Sequence, residues 1–434
     1  MSRPMKDSGI EWIGEIPENW TIARLKDIAS NETYSIVDGP FGTAISTSDY
    51  KDCGVPLVRI VNLNQTELKT DNFVFITEEH AEKLSRSRFF KEDIIFAKTG
   101  ATVGKCAFNS NVENGILSSS CVKIRISNTF CRKYYYYYFN TNQFNEALRL
   151  SCNGTTRDTI NLKPFSCLYC IIPPLPEQLA ISAYLDEKCA LIDSVIEKTK
   201  ASIEEYKKLR QAVITQAVTK GIRGNRPMKD SGIAWIGEIP QEWRTIKIKW
   251  LLTEQKVKSE TGEEEPLSMS QKFGLIPTKE MDVIPNMASS FVGAKIVEIG
   301  DLVFNKLKAH LGVFSVSKYN GLVSPDYAVY RATGKANLYF LEYLFKTPQC
   351  ISEFKKRSTG VGAGLTRLYT DELYSITISL PSQEEQKEIV NYITEKITEI
   401  DTLITKKEQF LKELESYKKS LIYEYVTGKK EVQA

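Results

Sequence analysis

The residues most suggestive of chemistry lie in "TGATVGKC", 99–106, where glycines, threonines and a lysine invite comparison with a phosphate cradle. A P-loop needs four residues between its glycines and a Ser or Thr after its lysine to reach magnesium. Gly100 and Gly104 are separated by three residues, and Cys106 follows Lys105. The spacing instead predicts a glycine turn between two short strands, "DIIFA" and "CAF". Cys167 and Cys170 in "CLYC" have zinc-knuckle spacing but no second pair nearby. In "SPDYAVY", 324–330, Asp326 stands where an amino-methyltransferase motif would carry a second proline, and a turn entering a strand is the better reading. The chain has two histidines, His80 and His310, and no compact group of acids and lysine that would mark a nuclease centre. It offers no convincing catalytic or metal site of its own.

Binding chemistry is better supplied. Two loops, "SCNGTTRDTINLKP" (151–164) and "STGVGAGLTRLYT" (358–370), each combine glycines with threonine and arginine: Thr156 and Arg157, Thr366 and Arg367. Arg157 precedes Gln178 by 21 positions and Arg367 precedes Gln386 by 19, so the loops stand at comparable places. Glycine lets backbone amides approach phosphate, and arginine can pair with phosphate or read guanine bidentately. "DIIFAKTG" and "DLVFNKLKAH" each place lysine beyond an apolar strand, Lys98 in one, Lys306 and Lys308 in the other. Together with Thr99, Lys105 and Arg59, these are the candidate DNA contacts, weighed against turns and solvated surface charge. "FCRKYYYYYFN" (130–140) could stack single-stranded bases. Five consecutive tyrosines cannot all face one surface, however, and the run predicts a packed helix.

The elements that must carry these residues follow from composition and repetition. At 434 residues, 42% hydrophobic and 26% charged, the chain predicts a soluble protein of two or three domains. A net charge of +3 permits local basic patches without announcing a nucleic-acid binder. Eight of the nine cysteines precede residue 190, a distribution that predicts reduced thiols. With no apolar run long enough to span a bilayer and no signal-peptide layout, a cytoplasmic location without a membrane partner is expected.

"PMKDSGIEWIGEIPENW" (4–20) returns as "PMKDSGIAWIGEIPQEW" (227–243) with three substitutions. A second repetition follows. Residues 177–219 contain no glycine or proline, and alternate steps of four and three give Leu185, Cys189, Ile192, Ile196, Thr199, Ile203, Tyr206, Arg210, Val213 and Ala217. A shift of 208 gives Ile393, Ile397, Ile400, Ile404, Lys407, Leu411, Leu414, Lys418, Leu421 and Tyr425, with polar breaks at the same two places. Such a seam predicts a coiled coil. Neither stripe could persist bare in water, so the two helices should bury each other.

The expected fold class is therefore α/β (α+β): two recognition domains in a pseudo-two-fold arrangement, separated by two long antiparallel coiled-coil helices. The expected divisions are a repeat motif at 1–20, a first domain at 21–176 and a long helix at 177–220. The second motif (221–243), second domain (244–384), second helix (385–427) and a tail (428–434) follow. If the helices act as a ruler, inserting one heptad, about 10.5 Å, should lengthen the gap between two DNA half-sites by up to about 3 bp. Methylation mapping that returned an unchanged gap would rule the ruler out.

This layout resembles the specificity subunit of type I restriction-modification enzymes over essentially the whole chain. The matching pieces are the two opening motifs, "GPFGTAISTSDYKDCGVPLVRIVNLN", "FKEDIIFAKTGATVGKC", "IIPPLPEQLAISAYLDEK" and "ISLPSQEEQKEIVNYITEKITEID". The resemblance implies two target-recognition domains reading the halves of an asymmetric, interrupted DNA site. It also implies partners: two modification subunits that bind S-adenosylmethionine and methylate adenine, and restriction subunits that use ATP and Mg and cut. No cofactor is expected on this chain. The rival readings are a single-chain DNA-modifying enzyme, which needs a cofactor motif not found here, and a structural coiled-coil adaptor.

Overall fold

Short apolar runs punctuated by glycine dictate short strands, and the computed structural model, which describes residues 3–41, 44–64, 67–153, 158–270, 273–281, 290–360 and 366–432, has them in two units. The units are Met1–Lys198 with Phe410–Ala434, and Thr199–Gln409. In the first, the opening motif is an antiparallel hairpin of β1 (Met5–Asp7) and β2 (Glu15–Pro17). There follow β3 (Thr21–Arg24), α1 (Leu25–Ile28), β4 (Ile36–Asp38), β5 (Val55–Val58), β6 (Val74–Ile76), α2 (Glu78–Lys83), β7 (Arg88–Phe90) and β8 (Ile94–Ala97). Next come β9 (Cys106–Phe108), β10 (Asn114–Leu117), β11 (Cys121–Ile124), α3 (Arg132–Phe139), α4 (Asn142–Leu150), α5 (Leu162–Cys167), β12 (Tyr169–Ile172) and the first half of α6 (Leu175–Lys220). One four-stranded sheet has the order β4-β11-β8-β9, another β6-β5-β10-β7, and β3 pairs with β12.

The tyrosine run belongs to the core, as its neighbours in sequence predict. Tyr134 to Phe139 are all buried in α3, because the helix is enclosed on several sides. Phe139 meets Phe96 of β8 at 5.3 Å, and the Tyr137 hydroxyl donates to Asp186 of α6 at 2.8 Å. The "TGATVGKC" segment is the expected turn between β8 and β9, closed by Gly104 N donating to Ala97 O at 3.0 Å. Gly100 and Gly104 take φ of +82° and +88°, the left-handed region that favours glycine.

The second unit repeats this frame with different filling. Its strands are β13 (Met228–Asp230), β14 (Glu238–Pro240), β15 (Arg244–Lys247), β16 (Leu252–Gln255), β17 (Leu267–Ser270), β18 (Gly274–Pro277), β19 (Lys295–Val297) and β20 (Leu302–Asn305). They continue with β21 (Phe314–Val316), β22 (Gly321–Val323), β23 (Tyr327–Ala332), α7 (Leu338–Phe345), α8 (Pro348–Arg357), α9 (Thr370–Ser375), β24 (Thr377–Leu380) and α10 (Gln383–Val426). The hairpin β13–β14, the pair β15–β24 and the sheet β16-β23-β20-β21 have the connectivity of β1–β2, β3–β12 and β4-β11-β8-β9. The rest diverges: where the first unit has a four-stranded sheet, the second has the separate pairs β17–β18 and β19–β22.

Both long helices start ahead of the expected 177 and 385, α6 at Leu175, because Pro176 is tolerated in a first turn, and α10 at Gln383. Within the first unit, Leu185, Cys189, Ile192 and Ile196 share a cluster with Leu421, and Leu411, Leu414 and Tyr425 pack against it. Tyr184 meets Tyr425 at 4.5 Å and Lys418 pairs with Asp193 at 2.6 Å, contacts that run in opposite directions along the two helices. Within the second unit, Ala217 lies with Ile393, Ile397 packs beside them, and Arg210 pairs with Asp401 at 3.0 Å. Lys407 sits over the ring of Tyr206. Ile203, Ile400 and Ile404 are buried and Val213 is half-buried. The pairing in each unit is antiparallel. Each seam break at 210 and 418 thus has a carboxylate on the opposite helix, which explains why the interruptions recur.

Candidate nucleic-acid interface

Each recognition frame is tied to its long helix by the two residues of the recurring "EQ". The Trp20 indole donates to Glu177 at 3.0 Å, and Arg3 Nη2 reaches the same carboxylate at 2.7 Å. In the second unit Trp243 donates to Glu385 at 3.1 Å and Arg226 Nη1 does so at 2.6 Å. Both tryptophans are fully buried beneath their arginines, so the repeated motif is a packing device. Burial alone would raise the Glu177 pKa, but the hydrogen bonds from Arg3, Trp20 and Asn19 outweigh it and hold the carboxyl below its usual range. The adjacent glutamines seat a second element. Gln178 accepts from Cys131 N at the start of α3, and Gln386 from Asn337 N at the start of α7. The "EQ" stands in both of the quoted helix starts, but its partners lie far away along the chain.

The candidate contacts collect at the end of β8 in the first unit. Lys98 N donates to Ser120 O at 2.7 Å, Ile160 N donates to Lys98 O at 3.0 Å, and Gly100 N donates to Asp158 O at 2.9 Å. Thr99 bridges Thr159, so residues 158–160 dock on the Lys98 turn. The Lys98 ammonium itself is 3% exposed and lies 2.5 Å from Asp38 at the end of β4. This departs from the expectation of a lysine open to DNA: its charge is committed inside the protein. Gly39 is required beside it, because a Cβ there would stand 2.0 Å from Ser118 O. Lys105 is half-buried in the same turn. Arg59 follows β5 in the other sheet and is half-buried, with Nη2 donating to Asn72 O at 2.9 Å in an exposed hydrogen bond and the guanidinium over Tyr50. Thr156 and Arg157 lie outside the described residues.

The second unit builds the same corner differently. Leu368 N donates to Lys306 O at 3.0 Å, and Arg367 bridges Thr359. The Lys306 ammonium lies 3.7 Å from Glu254 of β16, which also holds Lys295 at 3.3 Å and accepts from the Thr370 hydroxyl at 2.8 Å. Burial pushes the Glu254 pKa up, but Thr370, Lys306 and Lys295 more than offset this and leave it lowered. Lys308 is exposed and Thr366 half-buried. Arg367 pairs with Asp326 at 3.3 Å, both well exposed, an exchangeable surface contact. Because Ile160 and Leu368 make the same hydrogen bond, Arg367 occupies the place of Thr159. The two loops thus stand at corresponding places, and along the chain Arg157 and Arg367 are offset by two positions, the difference between their spacings of 21 and 19 to the glutamines.

At the opposite end of β8 and of β20 lies a second buried charge. Asp93, fully buried, holds Lys123 at 2.7 Å and Arg125 Nε at 2.8 Å, and Asp301 holds Arg331 Nε at 2.7 Å. Burial pulls the Lys123 pKa down despite its carboxylate partner. Cys170 is buried in β12 and Cys167 half-buried, and among the described residues no three His, Cys, Asp or Glu side chains are grouped to hold a metal. Among the same residues no helix is long and apolar enough to cross a membrane.

Comparison with known proteins gives a consistent family. The family model described as "Type I restriction modification DNA specificity domain" matches residues 17–205 and 280–413. The putative type I restriction enzyme MjaX specificity subunit of Methanocaldococcus jannaschii is 24% identical over 431 residues, covering 96% of this chain and 95% of its own. The type I restriction enzyme EcoKI specificity subunit of Escherichia coli K12 is 22% identical over 425 residues, covering 90% and 84%. A chain solved in a study of assembly and conformational transition of the type I R-M system superposes with a TM-score of 0.69 at 16% identity, covering 95% and 99%. The HsdS subunit from Thermoanaerobacter tengcongensis does so with 0.54 at 16%, covering 95% and 98%. These two likenesses speak to the fold.

Proposed function

Because the chain belongs to the family of type I restriction-modification DNA specificity proteins, and is a specificity subunit by that membership, we propose that residues 21–176 and 244–384 each read one half of an asymmetric, bipartite DNA target. The observation that supports this most is the shared frame with unlike inserts. Two copies of one strand scaffold carry a four-stranded sheet in one case and two separate strand pairs in the other. Equivalent scaffolds with different surfaces would read different half-sites. The proposed contacts are Arg59, Thr99, Lys105, Thr156 and Arg157 in the first unit, and Lys308, Thr366 and Arg367 in the second. Arginine and lysine in loops at strand ends supply phosphate and base-edge contacts.

In this reading the chain supplies the address and no chemistry. Two modification subunits carrying S-adenosylmethionine would methylate adenine in the target, and restriction subunits using ATP and Mg would cut. Mapping N6-methyladenine across the host genome, with and without this gene, tests the reading. A two-part motif that vanishes with the gene is expected; an unchanged methylation map sinks it. Methyl transfer by the purified chain alone, supplied with labelled S-adenosylmethionine and DNA, would overturn the non-catalytic assignment. Arg367→Ala is expected to weaken discrimination at one half-site by roughly 1–3 kcal/mol while the complex still assembles. Wild-type affinity and methylation pattern in that variant would remove Arg367 from the contacts.

A further inference from the structure

Lys98 and Lys306 occupy equivalent places just past β8 and at the end of β20, and each reaches over a neighbouring strand to an acid. In the first unit the strand order β4-β11-β8 puts Asp38 two strands away from Lys98. In the second, β16-β23-β20 puts Glu254 two strands away from Lys306. The acids differ in type and do not share the spacing of the lysines. They also face positions of the middle strand two residues apart, Asp38 opposite Val122 and Glu254 opposite Tyr330, the counterpart of Ile124. A pair rebuilt at the same corner from different residues marks a requirement of the corner.

We propose that Lys98 and Lys306 are positioning residues for DNA recognition, each clamped by its carboxylate so that the loops around it are set for reading, and that neither touches DNA. The inference rests on the reading of the two units as DNA readers. In the first unit the clamp sits where three loops meet. The Lys98 backbone binds Ser120 and Ile160. Asp38 leads through Gly39 into Phe41, whose exposed ring lies 4.6 Å from the Lys98 ammonium. A lysine 3% exposed has no free hemisphere for a phosphate, and withdrawing it would leave the buried Asp38 with only the more distant, largely exposed Arg86, at 3.6 Å, as a charged partner.

The sign of one substitution separates the two roles. If Lys98 were a phosphate contact held in reserve, Asp38→Asn would release the ammonium, remove a competing anion and tighten binding. If it is a clamp, Asp38→Asn and Lys98→Met damage the same half-site, and the double variant is no worse than either single one. The experiment uses the full chain with its modification subunits on duplexes carrying the motif mapped in the host. Affinity for the intact motif is compared with that for each half scrambled, across a range of salt.

The expected result is a loss of discrimination of roughly tenfold to a hundredfold at one half-site. The other half-site should be unaffected and the dependence of log K on log salt unchanged. Lys98→Arg, which keeps the charge, should restore part of the loss. Lys306→Met and Glu254→Gln should do the same at the opposite half-site. Since Lys306 is 20% exposed, this pair serves as the test if the Lys98 variants do not fold. Tighter binding in Asp38→Asn, or a salt slope reduced by about 0.9 in either lysine variant, would overturn the proposal. Absence of any two-part motif for the wild-type complex would instead count against the function itself.

Discussion

Trp243→Ala should destabilise the second unit by about 3–5 kcal/mol, the usual range for emptying a buried aromatic site. The indole is 1% exposed and edge-on to Phe340 at 6.4 Å, and its Nε1 satisfies Glu385 at 3.1 Å. Its loss opens a void and leaves a carboxylate, itself nearly buried, with Arg226 as its remaining charged partner. Hydrogen exchange should show lost protection in the second hairpin, α7 and the first turns of α10. Trp250, 58% exposed on the same unit, is the control. Its replacement by alanine should change stability by less than about 0.5 kcal/mol. Equal effects at the two positions would refute the packing role assigned to the repeated motif.

Removing the Asp93 carboxylate should be similarly costly, roughly 3–5 kcal/mol in Asp93→Ala, because two cations are left without their buried anion. Lys123 is 2% exposed and has no route to water without moving β11. Arg125 retains Glu32, so the larger share of the cost should come from Lys123. Adding Lys123→Met to Asp93→Ala should therefore recover part of the lost stability in a denaturant titration. No recovery would show that the stranded ammonium is not the cause. Asp301→Ala in the second unit should cost less, since Arg331 is 40% exposed and also pairs with Glu298.

Much of this organisation was legible in the residues. The recurrence of the opening motif, the helical seam, the packed tyrosine helix and the β8–β9 turn all follow from local pattern, since apolar spacing and glycine positions constrain short stretches of chain. The "EQ" pairs could be seen to recur, but not why, because Trp20 and Trp243 approach Glu177 and Glu385 only through the fold. Charge was read least well. Lys98 looks the same in sequence whether it faces solvent or Asp38, and only the strand order of the sheet decides which.

What the sequence determined by itself is therefore the duplicated plan: motif, variable region and long helix, each written twice, with seam breaks at matching positions. Periodicity alone suffices for that, because a helix or strand imposes its repeat on the residues that build it. What the tertiary structure alone decided is which charged groups meet. Lys98 with Asp38, Lys306 with Glu254 and Asp93 with Lys123 join residues from separate strands, and pairing across a sheet depends on topology that no local pattern encodes.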